Sequence, residues 1–150
     1  MPSKVADGEQ RGWIIPIGGA EDKETDPRIL RRFVELCGGA DADIVVIPTA
    51  SRLLATGDTY ARLFPELGAG RVEVMDFDTR RDCHEPGRLA RLERATGVFF
   101  TGGNQLRLST LIGAMGILWL PSFFDRQHPP ALAYSAGAWC AGFAAVAHFA

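Results

Sequence analysis

Apolar positions along the chain alternate between two spacings. "GWIIPIGGA" is a short apolar run ending in glycines, which predicts a strand entering a loop. In "PRILRRFVELCGG", Ile29, Leu30, Phe33, Val34, Leu36 and Cys37 recur at helical spacing. Arg28, Arg31, Arg32 and Glu35 take the opposite face. Asp26 stands where an N-cap is expected, Pro27 would be the first helical residue, and Gly38-Gly39 stops the helix. "ADIVVIPTAS" is the clearest strand, because Ile44 to Ile47 is continuously apolar and β-branched, the pattern of a strand covered on both faces. A helix from about Thr56 to Leu67 follows, then "RVEVMDF" as a strand, "EPGRLARLERA" as a helix and "GVFFTGG" as a second buried strand. "NQLRLSTLIG" opens a helix, "PALAY" is a short last strand, and "AGAWCAGFAAVAHFA" is a last helix.

Strands alternating with helices through short loops predict βαβ units, hence an α/β fold with a mostly parallel sheet and helices on both faces. In open sheets of this kind, ligands bind at the carboxyl ends of the strands. The loops there are "GGAEDK", "PTAS", "DFDTRRD", "TGGNQ" and "YSAGA". Two features strain the pattern. Pro16 lies inside the first strand and cannot donate a ladder hydrogen bond, so that strand is expected at an edge or bulged. "MGILWLPSFFDRQHPP" carries Pro121, Pro129 and Pro130, which predicts a broken helix and a loop, with Trp119, Phe123 and Phe124 as packing residues.

Composition narrows the class. The 150 residues suffice for one modest domain, read as residues 13–150 behind a polar, flexible tail over 1–12. A net charge of -2 gives no electrostatic reason to expect nucleic acid or an anionic membrane as partner. No window holds the ~18 apolar residues of a membrane span. The polar start lacks the apolar stretch of a signal peptide, so a cytoplasmic location is expected. Cys37, Cys83 and Cys140 are far apart, without a CxxC pair, which argues against a disulfide framework or a zinc site. No metal or other cofactor is expected. The adjacent Cys83 and His84 point apart in most backbone conformations and do not make a metal site.

The chemistry is expected in the loops. Ala133-Tyr134-Ser135-Ala136-Gly137 approximates the G-x-S-x-G elbow, with alanine in the first glycine position. On a sharp strand-to-helix turn the Ser135 hydroxyl would project as a nucleophile. The Ala136 amide, at a helix N-terminus, would suit a developing oxyanion. The plain alternative is that "SAG" only caps a helix. In "FFTGGNQLRL", Gly102 and Gly103 would let a ligand approach the backbone and supply another oxyanion donor. Asn104 would cap the following helix, and Gln105 would reach the cleft. In "GGAEDK", Glu21, Asp22 and Lys23 would bind substrate or form a solvated charge cluster. The glycines fit neither GxGxxG nor a P-loop.

"IGGAEDK", "ADIVVIPTAS", "GVFFTGGNQLRLSTLIG" and "SAGA", in that order, resemble the cyanophycinases, within a serine peptidase family that also holds aspartyl dipeptidases. The resemblance covers roughly Gly12 to Gly142. It implies a flavodoxin-like sheet similar to class I glutamine amidotransferases, and hydrolysis of the aspartate–arginine isopeptide bonds of cyanophycin to β-Asp-Arg dipeptides. It makes Ser135 the nucleophile and the backbone amides of Gly103 and Ala136 the oxyanion donors. Gln105 becomes a substrate-pocket residue, and Asn104 stands where many relatives have aspartate. Glu21 and Asp22, with Asp76 and Asp78, would supply acidity for an arginine side chain. Tyr134 replaces the threonine usual beside the nucleophile.

Such a serine needs a base. His148, thirteen residues beyond Ser135, would lie ~20 Å along a helix axis. His128 precedes the last strand, toward the opposite end of the sheet. The base and its acid are therefore expected in a carboxyl-terminal half that the family has beyond this length, leaving the 150 residues inactive alone. Two other readings stay open: an aspartyl dipeptidase-like peptidase, and a non-catalytic α/β binding module. A homodimer is also left open.

Overall fold

The computed structural model describes residues 12–18, 22–51, 53, 55–104 and 106–111, and the backbone of 131–136. In chain order these form β1 (Ile14–Gly18), α1 (Arg28–Leu36), β2 (Asp43–Ile47), α2 (Ala55–Glu66), β3 (Arg71–Val74), α3 (Pro86–Arg94), β4 (Gly97–Phe100), a helical segment over 106–111 and β5 (Ala131–Ala136). The expected last helix and the proline-bearing stretch from Met115 to Pro130 lie outside the described residues.

All the pairings are parallel, in the order β1-β5-β4-β2-β3. The α/β expectation therefore holds. Pro16 sits on an edge strand, where β1 pairs with β5 alone among the described strands, so its missing N–H breaks no two-sided ladder. β5 runs two residues past the expected "PALAY", because Ile17 and Gly18 of β1 continue the pairing with Ser135 and Ala136. β3 stops at Val74, short of the expected "RVEVMDF", although Met75 still donates to the Val46 carbonyl at 2.8 Å.

Gly97 and Phe99 alternate onto one face of β4, and α1 and α2 cover that face. The Phe33 ring of α1 lies 5.6 Å from Phe99 and 5.5 Å from Phe64 of α2, and Tyr60 lies 4.6 Å from Phe99. All four rings are buried, and truncating such a ring to alanine typically costs about 3–5 kcal/mol. Gly97 is required by this packing, because a Cβ there would run into the Cys37 sulfur. The other face carries α3. Its buried Arg91 donates to Glu73 of β3 at 2.6 Å and to Asp43 of β2 at 2.5 Å, and those two residues alternate away from the aromatic cluster. Helices thus cover both faces.

One cap differs from expectation. Asp26 makes no side-chain cap for α1. Pro27 occupies the cap position with φ -76°, and the Asp26 carboxylate meets Arg28 at 2.5 Å instead. The turn before the helix is held by Asp22, whose carboxylate accepts the N–H groups of Glu24, Thr25 and Asp26.

Candidate functional site

The strand order sets where a site can form. From β2 the chain moves outward to β3, whereas β4 leads inward to β5. The connections diverge between β2 and β4, and in open parallel sheets ligands bind at the carboxyl ends of the strands at such a point. Two of the expected loops meet at that point. Thr101 N–H donates to the Ile47 carbonyl at 3.1 Å, which carries the β2–β4 ladder one step beyond β4. Asn104 N–H then donates to the Ala50 carbonyl at 2.7 Å. "PTAS" and "TGGN" are therefore joined by backbone hydrogen bonds.

Gly103 makes this approach possible. Its φ is +154°, and a Cβ at this position would collide with the Ala50 carbonyl group. Its own N–H has no hydrogen-bond partner among the described residues, so it is a donor at the rim of the sheet. Asn104 acts as the helix cap the sequence suggests. Its side-chain oxygen accepts from Leu106 N–H at 3.0 Å and Arg107 N–H at 3.2 Å. Gln105 lies outside the described residues.

Ser135 and Ala136 are the last two residues of β5, which lies between β1 and β4. Ser135 pairs with Ile17, and Tyr134 pairs with Phe100. Continuing the second register by one residue sets Ser135 opposite Thr101, directly before the glycine pair. The fold thus brings Ser135, Ala136 and Gly103 to adjacent strand ends. Ser135 itself belongs to the paired strand. A corner there would begin at Gly137, outside the described residues.

The acidic candidates are spread along the same edge. Asp22 follows β1. The N–H of Thr25, then that of Glu24, holds its carboxyl below the usual carboxylate range. Glu21 lies outside the described residues. Lys23 is tied to the fold by the Tyr60 ring, whose centroid is 5.3 Å from its Nζ. Asp76 accepts the Thr49 hydroxyl at 3.0 Å, while that hydroxyl accepts Phe77 N–H at 3.0 Å. Arg88 binds the Asp76 backbone carbonyl. Asp78 meets Arg107 at 3.5 Å. Asp76 and Asp78 follow β3, three strands from Ser135. Of the histidines, His84 stands in the turn Asp82–His84, also after β3. Three strand spacings, roughly 14 Å, separate β3 from β5 and remove His84 as a base for Ser135. His128 and His148 lie outside the described residues.

Two groups escaped sequence reasoning. Thr49 and Thr101 are both buried, and Thr101 Oγ1 has no hydrogen-bond partner. Their only signal in the sequence is a hydroxyl one or two residues past the end of an apolar strand. Among the described residues no cluster of three metal-ligating side chains occurs, and no helix is long and apolar enough to cross a membrane.

The chain is 43% identical to the cyanophycinase of Synechococcus elongatus over 110 residues, which are 73% of this chain and 34% of that protein. It is 47% identical to the cyanophycinase of Trichormus variabilis over 96 residues, 63% of this chain and 32% of that one. It is 42% identical to the cyanophycinase of Geminocystis herdmanii over 103 residues, 68% and 38% respectively. The matches thus span about a third of the length of these relatives. In fold it is similar to a peptidase from an acI-B1 actinobacterium, with a TM-score of 0.57 at 20% identity over 85% of this chain and 55% of that one. A putative peptidase E from Listeria monocytogenes gives a TM-score of 0.52 at 18% identity, over 84% and 58%. The description of peptidase family S51 matches residues 14–148, a span holding every described strand, and this chain belongs to that family.

Proposed function

We propose that this chain is the amino-terminal part of a serine hydrolase that releases β-Asp-Arg dipeptides from cyanophycin by cleaving the amide bonds that join one β-Asp-Arg unit to the next, since the aspartyl–arginine isopeptide bond itself is retained in that product. The observation that carries the reading is 42–47% identity to cyanophycinases over 96–110 residues of this chain. Ser135 is the nucleophile. Its Oγ attacks the carbonyl carbon of the amide joining two β-Asp-Arg units, its proton passes to a base, and the carbonyl oxygen becomes an oxyanion. The Gly103 and Ala136 amides donate to that oxyanion, Gly103 having its N–H uncommitted at the strand end. The amine leaves with a proton, and water then releases the acyl group from Ser135. Gln105, Asn104, Glu21 and Asp22 line the substrate side, with carboxylates suited to an arginine guanidinium. The base and its acidic partner come from the carboxyl-terminal portion that the matched relatives have beyond this span. The enzyme works without a cofactor, in the cytoplasm.

The test joins these 150 residues to the carboxyl-terminal portion of the Synechococcus elongatus cyanophycinase and follows cyanophycin hydrolysis. The joined protein should release β-Asp-Arg, the 150-residue chain alone should not, and Ser135→Ala should lower kcat at least about 10³-fold. Full activity in the Ser135→Ala protein ends the nucleophile assignment. Preference for α-aspartyl dipeptides would move the substrate, and leave the chemistry.

A further inference from the structure

The helical segment over 106–111 is poorly held by its own apolar side chains. Only Leu108 is buried, Leu111 packs partly against the core, and Leu106 is 74% exposed. So short a helical stretch is marginal without tertiary support. That support comes from the turn after β3, which meets the segment at three points. Arg80 Nε donates to the Thr110 carbonyl at 2.8 Å, the Cys83 thiol donates to the Leu111 carbonyl at 3.2 Å, and the Arg107 guanidinium lies 3.5 Å from the Asp78 carboxylate. The turn is itself built by Asp82. Its carboxylate accepts Asp78 N–H at 2.9 Å, Thr79 N–H at 2.8 Å and the Thr79 hydroxyl at 2.9 Å. Burial, then the Asp82 charge, raises the pKa of the Cys83 thiol, which keeps the S–H that the bond to Leu111 needs.

At its other end the segment is tied to the glycine turn. Leu108 N–H donates to the Asn104 carbonyl at 3.2 Å, and the Asn104 side chain accepts the N–H groups of Leu106 and Arg107. Asn104 N–H in turn rests on Ala50. A displaced segment therefore drags Asn104, and with it the Gly103 peptide. We propose that the turn over 78–83 is a strap that positions the Gly103 amide through this segment, with Arg80 and Cys83 as positioning residues. An oxyanion donor contributes only when it is held in place before the charge develops. The catalytic half of this inference rests on the proposed role of Gly103.

Two measurements test it, and the first needs no activity. In hydrogen exchange of the 150-residue chain, the Arg80→Ala/Cys83→Ala double variant should accelerate the Asn104 and Leu108 amides about tenfold more than the Val45 and Val46 amides of β2. Equal factors at the two places overturn the strap. In the joined protein the double variant should lower kcat about tenfold with KM within twofold. In the Gly103→Ala background the same pair of changes should leave kcat within twofold, because the donor they position is already displaced. Equal falls in the two backgrounds, or no fall in either, overturn the positioning role. Full kcat in Gly103→Ala itself is a separate failure, of the oxyanion reading alone, and leaves the exchange comparison to decide the strap.

Discussion

Gly103 shows how one missing side chain shapes the rim of the sheet. Its backbone is in a region where L side chains are strained, and the Ala50 carbonyl fills the space a Cβ would need. Gly103→Ala must therefore push the "TGGN" turn off the "PTAS" turn. The expected cost is about 1–3 kcal/mol, read as a lower urea midpoint. In the joined protein kcat should fall about 10²-fold, as for loss of one oxyanion donor. The cysteines make a second residue-scale case. Burial alone pushes the Cys37 thiol far above its ordinary pKa, and burial followed by the Asp82 charge raises that of Cys83. In the native chain at pH 8, iodoacetamide should leave Cys37 unmodified, and urea should expose it. Labelling followed by mass spectrometry of the Cys37 peptide gives the answer. The glycines and the nucleophile candidate are legible in the sequence because each is a local exception to an apolar pattern. The orphaned Thr101 hydroxyl is not, since its isolation depends on strands brought together from Asp43–Ile47 and Ala131–Ala136.

Among elements, α3 is attached to the sheet by charge as much as by apolar packing. Arg91 is 5% exposed and bridges Asp43 and Glu73 on two neighbouring strands. Arg91→Ala should cost about 2 kcal/mol, the scale of charge-assisted hydrogen bonds lost from a half-buried cluster. The hydrogen bond from Arg91, more than any other cause, holds the Glu73 carboxyl below its usual range. Folded Glu73 therefore gives up its proton at a lower pH than the unfolded chain does. Its contribution is complete above the ordinary glutamate pKa of about 4.3, and is lost as pH falls through the lowered folded value. Thermal midpoints taken between pH 7 and pH 3 should fall less steeply for Glu73→Gln than for the parent chain. A parallel slope would remove Glu73 from the acid limb. Elements with strong periodicity, such as α1 and β2, are readable from sequence. Their ends are less so, because tertiary pairing sets them. β5 is lengthened by β1, and β3 ends opposite Val46, one residue before β2 does.

For the whole molecule, the sheet has β1 at one side and β3 at the other among the described strands. β1 begins at Ile14, with Trp13 just before it, and each is close to half exposed. An edge of this kind favours self-association. The 150-residue chain should elute earlier on size-exclusion chromatography as its concentration rises, and Ile14→Lys should reduce that shift. A position independent of concentration in the parent chain would count against the edge. The fold class is visible in the alternation of strand and helix patterns. The strand order is not, because nothing local tells β5 to enter between β1 and β4.

The seat that Ala50 provides for Gly103 and Asn104 also limits how this scaffold can be redesigned. A loop graft that lengthens residues 48–51 would move the carbonyl on which the other loop rests. Transplanting a new specificity onto this rim therefore requires exchanging both turns as a unit, even when only one of them is meant to touch the new substrate.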